Sequence, residues 1–331
     1  MFLAMSLVLA SCSPPPPPEK PKEVVTLQLK WHHQVQFAGF YMAKERGYYA
    51  AENIEVNFLE GSKDVDMFER LRAGKADFAI VSGESVISRQ AEDGPVKAVA
   101  VIYQRSPVVF VARTDANITR PQDFAGKTIA VGGVRGGGMG EALILFNTLM
   151  NKTGLQQSDY QTVPYDPFYE NFLSGQADIT PVYIGNGVVQ LRDKGLNLNI
   201  VWPGDYGIPF YSDTLAATAQ YLQDHPDLAQ RFFRASLKGW KDVVEDADAA
   251  VKVTMPYVAE KDAVFQRKMA DAQMPLVHTG EHPIGWMEPT IWQSMHRTLV
   301  EQGIVEKPVP DVAALYSLEL LNAYYSHPGK Q

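Results

Sequence analysis

The chain has 331 residues, of which 46% are hydrophobic and 21% charged, and its formal net charge is −8. This is the composition of a folded globular protein with room for two domains, and it excludes a disordered or a many-times membrane-spanning chain. The acidic balance leaves no basic surplus to displace counterions and no Lys/Arg run forms a local patch, so no nucleic-acid partner is expected.

The N-terminus reads as an export and anchoring segment. Residues 1–11 are apolar and uncharged, and Cys12 is the only cysteine. Leu9-Ala10-Ser11-Cys12 is similar to a bacterial lipobox, which implies a signal segment over 1–12 and acylation at Cys12. A secretory segment opens on basic residues; none precedes this one, so the expectation is a start upstream of Met1. Residues 13–24 contain five consecutive prolines and read as an extended tether. More than one acyl chain on Cys12 would hold the protein stably at a membrane. No later apolar stretch approaches the ~20 residues needed to span one.

Strand-like and helix-like segments then alternate. Residues 24–30 alternate apolar and polar, as a strand does. A helix is predicted over 37–52, a strand over 54–59, a helix over 65–73 and a short buried strand over 78–81. A helix over 85–92 and strands over 96–103 and 108–112 follow. After Pro121 the pattern restarts with a strand over 127–131, a glycine-rich turn and a helix over 141–153. Strand and helix pairs continue to about Trp202, and helices dominate from Ala229. This order implies mostly parallel sheets covered by helices on both faces.

An internal echo points to two lobes. Phe68-Glu-Arg-Leu-Arg-Ala-Gly74-Lys-Ala-Asp77-Phe78-Ala-Ile-Val81 parallels Tyr169-Glu-Asn-Phe-Leu-Ser-Gly175-Gln-Ala-Asp178-Ile179-Thr-Pro-Val182. Each reads as an amphipathic helix, a Gly at its C′ position, an Ala-Asp turn and a strand. A unit repeated once per α/β region suits two similar lobes better than a short-period solenoid.

Trp31-His-His-Gln-Val-Gln36-Phe-Ala-Gly-Phe-Tyr41-Met-Ala-Lys-Glu-Arg-Gly47-Tyr-Tyr49 resembles the opening motif of the substrate-binding proteins for thiamine-pyrimidine precursors and related vitamins. The resemblance extends through Gly74-Lys-Ala-Asp77, Asp123-Phe-Ala-Gly-Lys127 and Gly175-Gln-Ala-Asp178. It implies an α/β, two-lobed, type II periplasmic-binding-protein fold, each lobe a mixed, mostly parallel sheet flanked by helices, with the ligand cleft between lobes. The implied division is 25–112 plus 209–331 for lobe one and 113–208 for lobe two, with crossings near Ala112-Arg113 and 203–209. The implied role is a monomeric lipoprotein that delivers riboflavin or a thiamine pyrimidine precursor to an ABC permease and its ATPase, without a cofactor. The alternative is a pyrimidine-synthesis enzyme on the same fold, which uses a cysteine-rich motif and a histidine consumed in the reaction; a chain whose only cysteine is Cys12 does not support it.

Ligands of open α/β sheets bind at strand C-terminal ends and between domains. Trp31 and Tyr41 offer π-faces there, and His32, Gln34 and Gln36 offer donors and acceptors. Phe37, Phe40 and Tyr41 also fit the apolar stripe of a helix. Ser82-Gly83-Glu84 ends a strand and opens a helix, so that Glu84 could accept from a ring N–H, while Ser82 equally fits a plain N-cap. The 132–140 loop matches neither the dinucleotide nor the Walker spacing; Arg135 and Gly137 are read as a ligand-covering segment. Tyr165, Asp166, Tyr183 and Asp205 complete a tyrosine-rich cleft. His278 and His282 are separated by helix breakers and His32-His33 point to opposite faces of an extended chain, so no metal site is expected.

Overall fold

The computed structural model describes residues 21–90, 95–132, 140–259 and 262–326. The expected Cys12 anchor, most of the tether, and Arg135 and Gly137 of the glycine-rich loop lie outside the described residues.

The first part of the chain alternates β1 (Glu23–Gln28), α1 (Ala38–Glu45), α2 (Tyr48–Ala51), β2 (Ile54–Leu59), α3 (Met67–Arg72), β3 (Phe78–Ser82), α4 (Gly83–Ser88) and β4 (Val96–Val101). The second runs β5 (Val108–Arg113), β6 (Thr128–Gly132), α5 (Gly140–Thr153), β7 (Gln161–Pro164), α6 (Glu170–Leu173), β8 (Ile179–Tyr183), α7 (Gly187–Asp193) and β9 (Leu198–Val201). Then come β10 (Asp213–Thr218) and helices α8 (Ala219–Asp224), α9 (Pro226–Glu245), α10 (Ala247–Thr254), α11 (Ala263–Val277), α12 (Pro289–Glu301) and α13 (Glu319–Tyr325).

Two five-stranded sheets result, ordered β2-β1-β3-β10-β4 and β7-β6-β8-β5-β9. In the first, β10 runs antiparallel between β3 and β4; in the second, β5 runs antiparallel between β8 and β9. The two sheets therefore repeat one topology, and each takes its antiparallel strand from across the chain. The crossings are residues 102–107 and 202–212. This corrects the reading of 108–112 as lobe one with a crossing at Ala112-Arg113. The run Val-Val-Phe-Val-Ala is apolar on both faces, so a fully buried strand of either sheet reads the same.

The echoed segments occupy equivalent places. Gly74 and Gly175 close their helices at φ of 64° and 80°. The Asp77 amide donates to the Thr26 carbonyl (2.9 Å), and Asp77 Oδ2 accepts from the Thr26 amide (2.7 Å). Asp178 repeats both bonds with Thr128, each at 2.8 Å. The Ala-Asp turn thus uses its carboxylate to complete the start of the neighbouring strand in both lobes.

The opening motif is explained by helix packing. The predicted 37–52 helix is three pieces: a 3-10 turn at Val35–Phe37, α1, and α2 beyond Gly47, whose φ is 73°. Against α1 lies α9, and an alanine Cβ at Gly39 would fall 2.1 Å from the Trp240 ring, while one at Gly239 would fall 2.1 Å from the Gly39 carbonyl. Two glycines facing one another let the helices cross at backbone contact. Phe40 is buried edge-on to Trp240 in that packing, and Phe37 and Tyr41 are buried as well.

Candidate functional site

Beyond β1 the chain passes over the C-terminal edge of the first sheet, and Lys30 is carried into the space between the lobes. Its amine donates to the Tyr183 hydroxyl (3.1 Å), Asp213 Oδ1 (3.2 Å) and Ser212 Oγ (3.4 Å). Tyr183 ends β8 in lobe two, so the first of these bonds joins the lobes. Gln36 donates to the other Asp213 oxygen and Gln34 to the Gln36 side-chain oxygen Oε1. Asn186 of lobe two donates to Gln34 Oε1 (3.2 Å). Glu141, fully buried in the first turn of α5, accepts from Ser106 and from Ser212 (2.9 Å). These two serines lie on the two crossing segments, so one lobe-two carboxyl ties both.

The charges are unbalanced. Lys30, Glu84, Glu141 and Asp213 are each at most 5% exposed, giving one cation among three acids. Burial by itself would lower the Lys30 pKa, but Tyr183, Asp213, Glu141 and Glu84 around it hold the value well above that of an ordinary lysine. Burial, then the neighbouring Glu84, pushes Glu141 up to about 8. Burial also raises Glu84, against the pull of Lys30. Glu84 Oε1 accepts from Ser85 (3.2 Å), whereas Oε2 is buried with no hydrogen-bond partner among the described residues.

The lobes meet closely around this centre. Tyr103 donates to Gln273 of α11, and an alanine Cβ at Gly185 would fall 2.2 Å from the Gln273 side chain. Farther out, Gln302 Nε2 donates to the Ile144 carbonyl (2.9 Å) and Thr148 Oγ1 (2.6 Å) of α5, and Lys268 pairs with Asp193 (2.5 Å). What remains between Gln34, Gln36, Tyr103, Tyr183, Asn186 and Gln273 is a cavity of about 10 Å³. That is room for one water. A larger open groove of about 540 Å³ lies on lobe one, lined by residues that include His33, Lys44, Phe58 and Tyr257.

Of the residues predicted from sequence, Gln34, Gln36, Glu84 and Tyr183 gather at the cleft floor. Ser82 is buried at the end of β3 beside Glu84; Gly83 is a close-packing position, where an alanine Cβ would fall 2.9 Å from the Tyr211 carbonyl and from Met295. Trp31 is half-buried with its ring edge-on to His32. His32 is exposed and pairs with Glu60 (3.3 Å). Tyr41 turns toward the groove, its hydroxyl 2.8 Å from His33 Nδ1 and its ring stacked on Tyr257 at 4.2 Å. Asp166 caps α6, accepting from the Phe168, Glu170 and Asn171 amides, and Tyr165 packs in the lobe-two core. Asp205 is exposed and pairs with Arg105 (2.7 Å).

Sequence reasoning missed Lys30, Glu141, Asp213, Ser106, Ser212 and Gln273. One signal was available: Lys30 is the charge that ends an otherwise apolar-alternating strand directly before the opening motif. Glu141 reads as an ordinary acid in a helix first turn, and Gln273 carries no pattern at all.

The chain has relatives over nearly its whole length. It is 28% identical to the riboflavin-binding protein RibY of Chloroflexus aurantiacus, over 94% of this chain and 90% of that one. It is 27% identical to the formylaminopyrimidine-binding protein of Halalkalibacterium halodurans, over 91% and 94%. Other relatives are named 4-amino-5-hydroxymethyl-2-methylpyrimidine phosphate synthase. Among solved structures, the periplasmic aliphatic sulphonate binding protein SsuA of Escherichia coli superposes with a TM-score of 0.71 at 15% identity, covering 92% of this chain and all of that one, which establishes the periplasmic-binding-protein fold. The NMT1/THI5-like family model matches residues 34–250, from the opening motif through both lobes to α10, and the chain belongs to that family.

Proposed function

We propose that this protein is the cargo-capturing component of an ABC importer, and that its cargo is a flat heteroaromatic vitamin or vitamin precursor, riboflavin or a thiamine pyrimidine. The observation that carries the reading is the buried polar floor between the lobes. Lys30 bonds Tyr183 and Asn186 bonds Gln34 across the cleft, and Gln36 links Gln34 to Asp213 on the lobe-one side; these are the groups that would turn to the edge of a ring once cargo entered. A residual space of one water cannot hold such a ligand, so capture requires the lobes to part about the crossings at 102–107 and 202–212 and to close again. Tyr183 would contribute a ring face, and the amides would read edge donors and acceptors.

Relatives spanning at least nine-tenths of the chain are named binding proteins, which supports transport over catalysis. The lipobox-like Cys12 supports anchoring at the outer face of the cell membrane, with the permease and its ATPase as partners. Among the described residues no helix is long and apolar enough to cross a membrane.

A thermal-shift screen of the chain against riboflavin, thiamine, its pyrimidine precursors, sulfonates and amino acids tests the proposal. Cargo at a hundred times its dissociation constant adds about 2.7 kcal/mol, and the shift is expected with a heteroaromatic compound. A shift with sulfonates or amino acids alone would overturn the assignment.

A further inference from the structure

We infer that the closed cleft holds one proton on its two spare buried carboxyls, Glu84 of lobe one and Glu141 of lobe two, and that this proton selects uncharged heteroaromatic cargo against anionic cargo. The inference rests on the cleft being the cargo site.

The geometry is that of one amine set among three acids from both lobes. Lys30 arrives on the end of β1, Asp213 on β10, Glu84 on α4 and Glu141 on α5. The Lys30–Asp213 contact at 3.2 Å takes up the cation, leaving two carboxyls with no counter-charge of their own. Among the described residues, the remaining titratable groups facing them are the Tyr183 and Tyr103 hydroxyls, both held neutral by burial. Ser212 joins Glu141 to Lys30, and Asp213 lies opposite Ser82, two residues before Glu84, so both spare carboxyls are buried around one amine and cannot both stay ionised without water to stabilise the second charge. Closure therefore takes a proton from solvent, and opening returns it.

The hydrogen bonds indicate where the proton is offered. Both Glu141 oxygens are engaged, one with Ser106 and one with Ser212. Glu84 Oε2 has no partner among the described residues. A protonated Glu84 presents an O–H to an acceptor on a neutral ring, a carbonyl or a pyrimidine nitrogen, whereas a carboxylate, phosphate or sulfonate on the cargo would add an anion to a floor that already holds an excess of acid.

Three readouts separate this inference from the cargo reading. Infrared spectroscopy of the ligand-free chain at pH 7 should show the carbonyl stretch of a buried protonated acid, lost in the Glu84→Gln/Glu141→Gln double variant; Gln has the shape of the neutral acid, so the packing is preserved. Binding of riboflavin and of 4-amino-5-hydroxymethyl-2-methylpyrimidine is then followed from pH 6 to pH 9.5. Above the range in which the pair ionises, wild-type affinity should fall about tenfold per pH unit, as one linked proton requires, and the double variant should show a level profile. The 5-carboxylate of the same pyrimidine should bind at least tenfold more weakly than the alcohol. The inference is overturned if no acid carbonyl band separates wild type from the double variant, if a bound probe's affinity is level with pH, or if the carboxylate binds as well as the alcohol. If the band is present but neither probe binds, the shared proton stands and the vitamin assignment is what falls.

Discussion

Replacing Lys30 with Met keeps the length of the side chain and removes the cation that the described residues place on the cleft floor. Asp213 would then be left 1% exposed with Gln36 as its remaining neutral donor, beside two further acids. Breaking a buried ion pair by removing one partner costs about 3–5 kcal/mol. Unfolding entropy of about 2.1 cal/mol/K per residue gives about 0.7 kcal/mol/K for 331 residues, so the expected fall in melting temperature is about 4–7 °C at pH 8. The loss should shrink at pH 5, where Glu84 and Glu141, both raised by burial, hold protons and leave Asp213 with neutral neighbours. The Lys30 contribution itself is fully present below the ordinary lysine value of 10.5 and is lost only as pH rises past its higher folded value, so this pH dependence comes from the acids alone. Calorimetry of wild type, Lys30→Met, Asp213→Asn and the double variant at both pH values measures it, and the double variant should recover more than half of the single-variant loss. A Lys30→Met melting point within about 1 °C of wild type at pH 8, or an equal fall at both pH values, would refute the reasoning.

Glu141 has a folded pKa of about 8 against an ordinary 4.5, so its contribution to stability is fully present below about pH 4.5 and is lost as pH rises toward 8. Glu141→Gln should therefore match wild type near pH 5 and melt higher at pH 8; a variant that melts lower at pH 8 would contradict this. Gly39→Ala places a methyl 2.1 Å from the Trp240 ring and should cost about 1–3 kcal/mol or more in chemical unfolding by forcing α1 off α9. Asp77→Ala and Asp178→Ala each remove an acceptor from a strand-initiating amide, and unfolding titrations should show similar losses of about 1.5–3 kcal/mol for the two, as their repeated geometry requires.

The lobes were legible in the sequence because the repeated helix-Gly-Ala-Asp-strand unit is local: its glycine, its capping carboxylate and its strand lie within a few residues of one another. Sheet membership was not. β5 is apolar on both faces, and β10, Asp213–Thr218, is a short Ala- and Thr-containing strand that reaches its partners only across the whole second lobe. The site divides the same way. Gln34, Gln36, Glu84 and Tyr183 stand at strand ends where ligands of such sheets bind, so position alone nominated them. Asp213, Ser212 and Gln273 enter the cleft from the return crossing and from a C-terminal helix, and nothing near them in the chain marks that destination. Tyr41 and His32 show the opposite limit: they share the opening motif with Gln34 and Gln36, but Tyr41 is buried against Tyr257 beneath the lobe-one groove and His32 pairs with Glu60 at the surface.

Cargo held between the lobes should depend on side chains of the cleft floor and not on those of the lobe-one groove. Equilibrium titration of the chain with the compound that stabilises it should be run on wild type, Gln34→Ala, Tyr183→Phe and, for the lobe-one groove, Tyr257→Ala. The account predicts that the two cleft variants lose at least tenfold in affinity while Tyr257→Ala binds as wild type does. Unchanged binding in both cleft variants with loss in Tyr257→Ala would place the cargo in the groove and contradict the account.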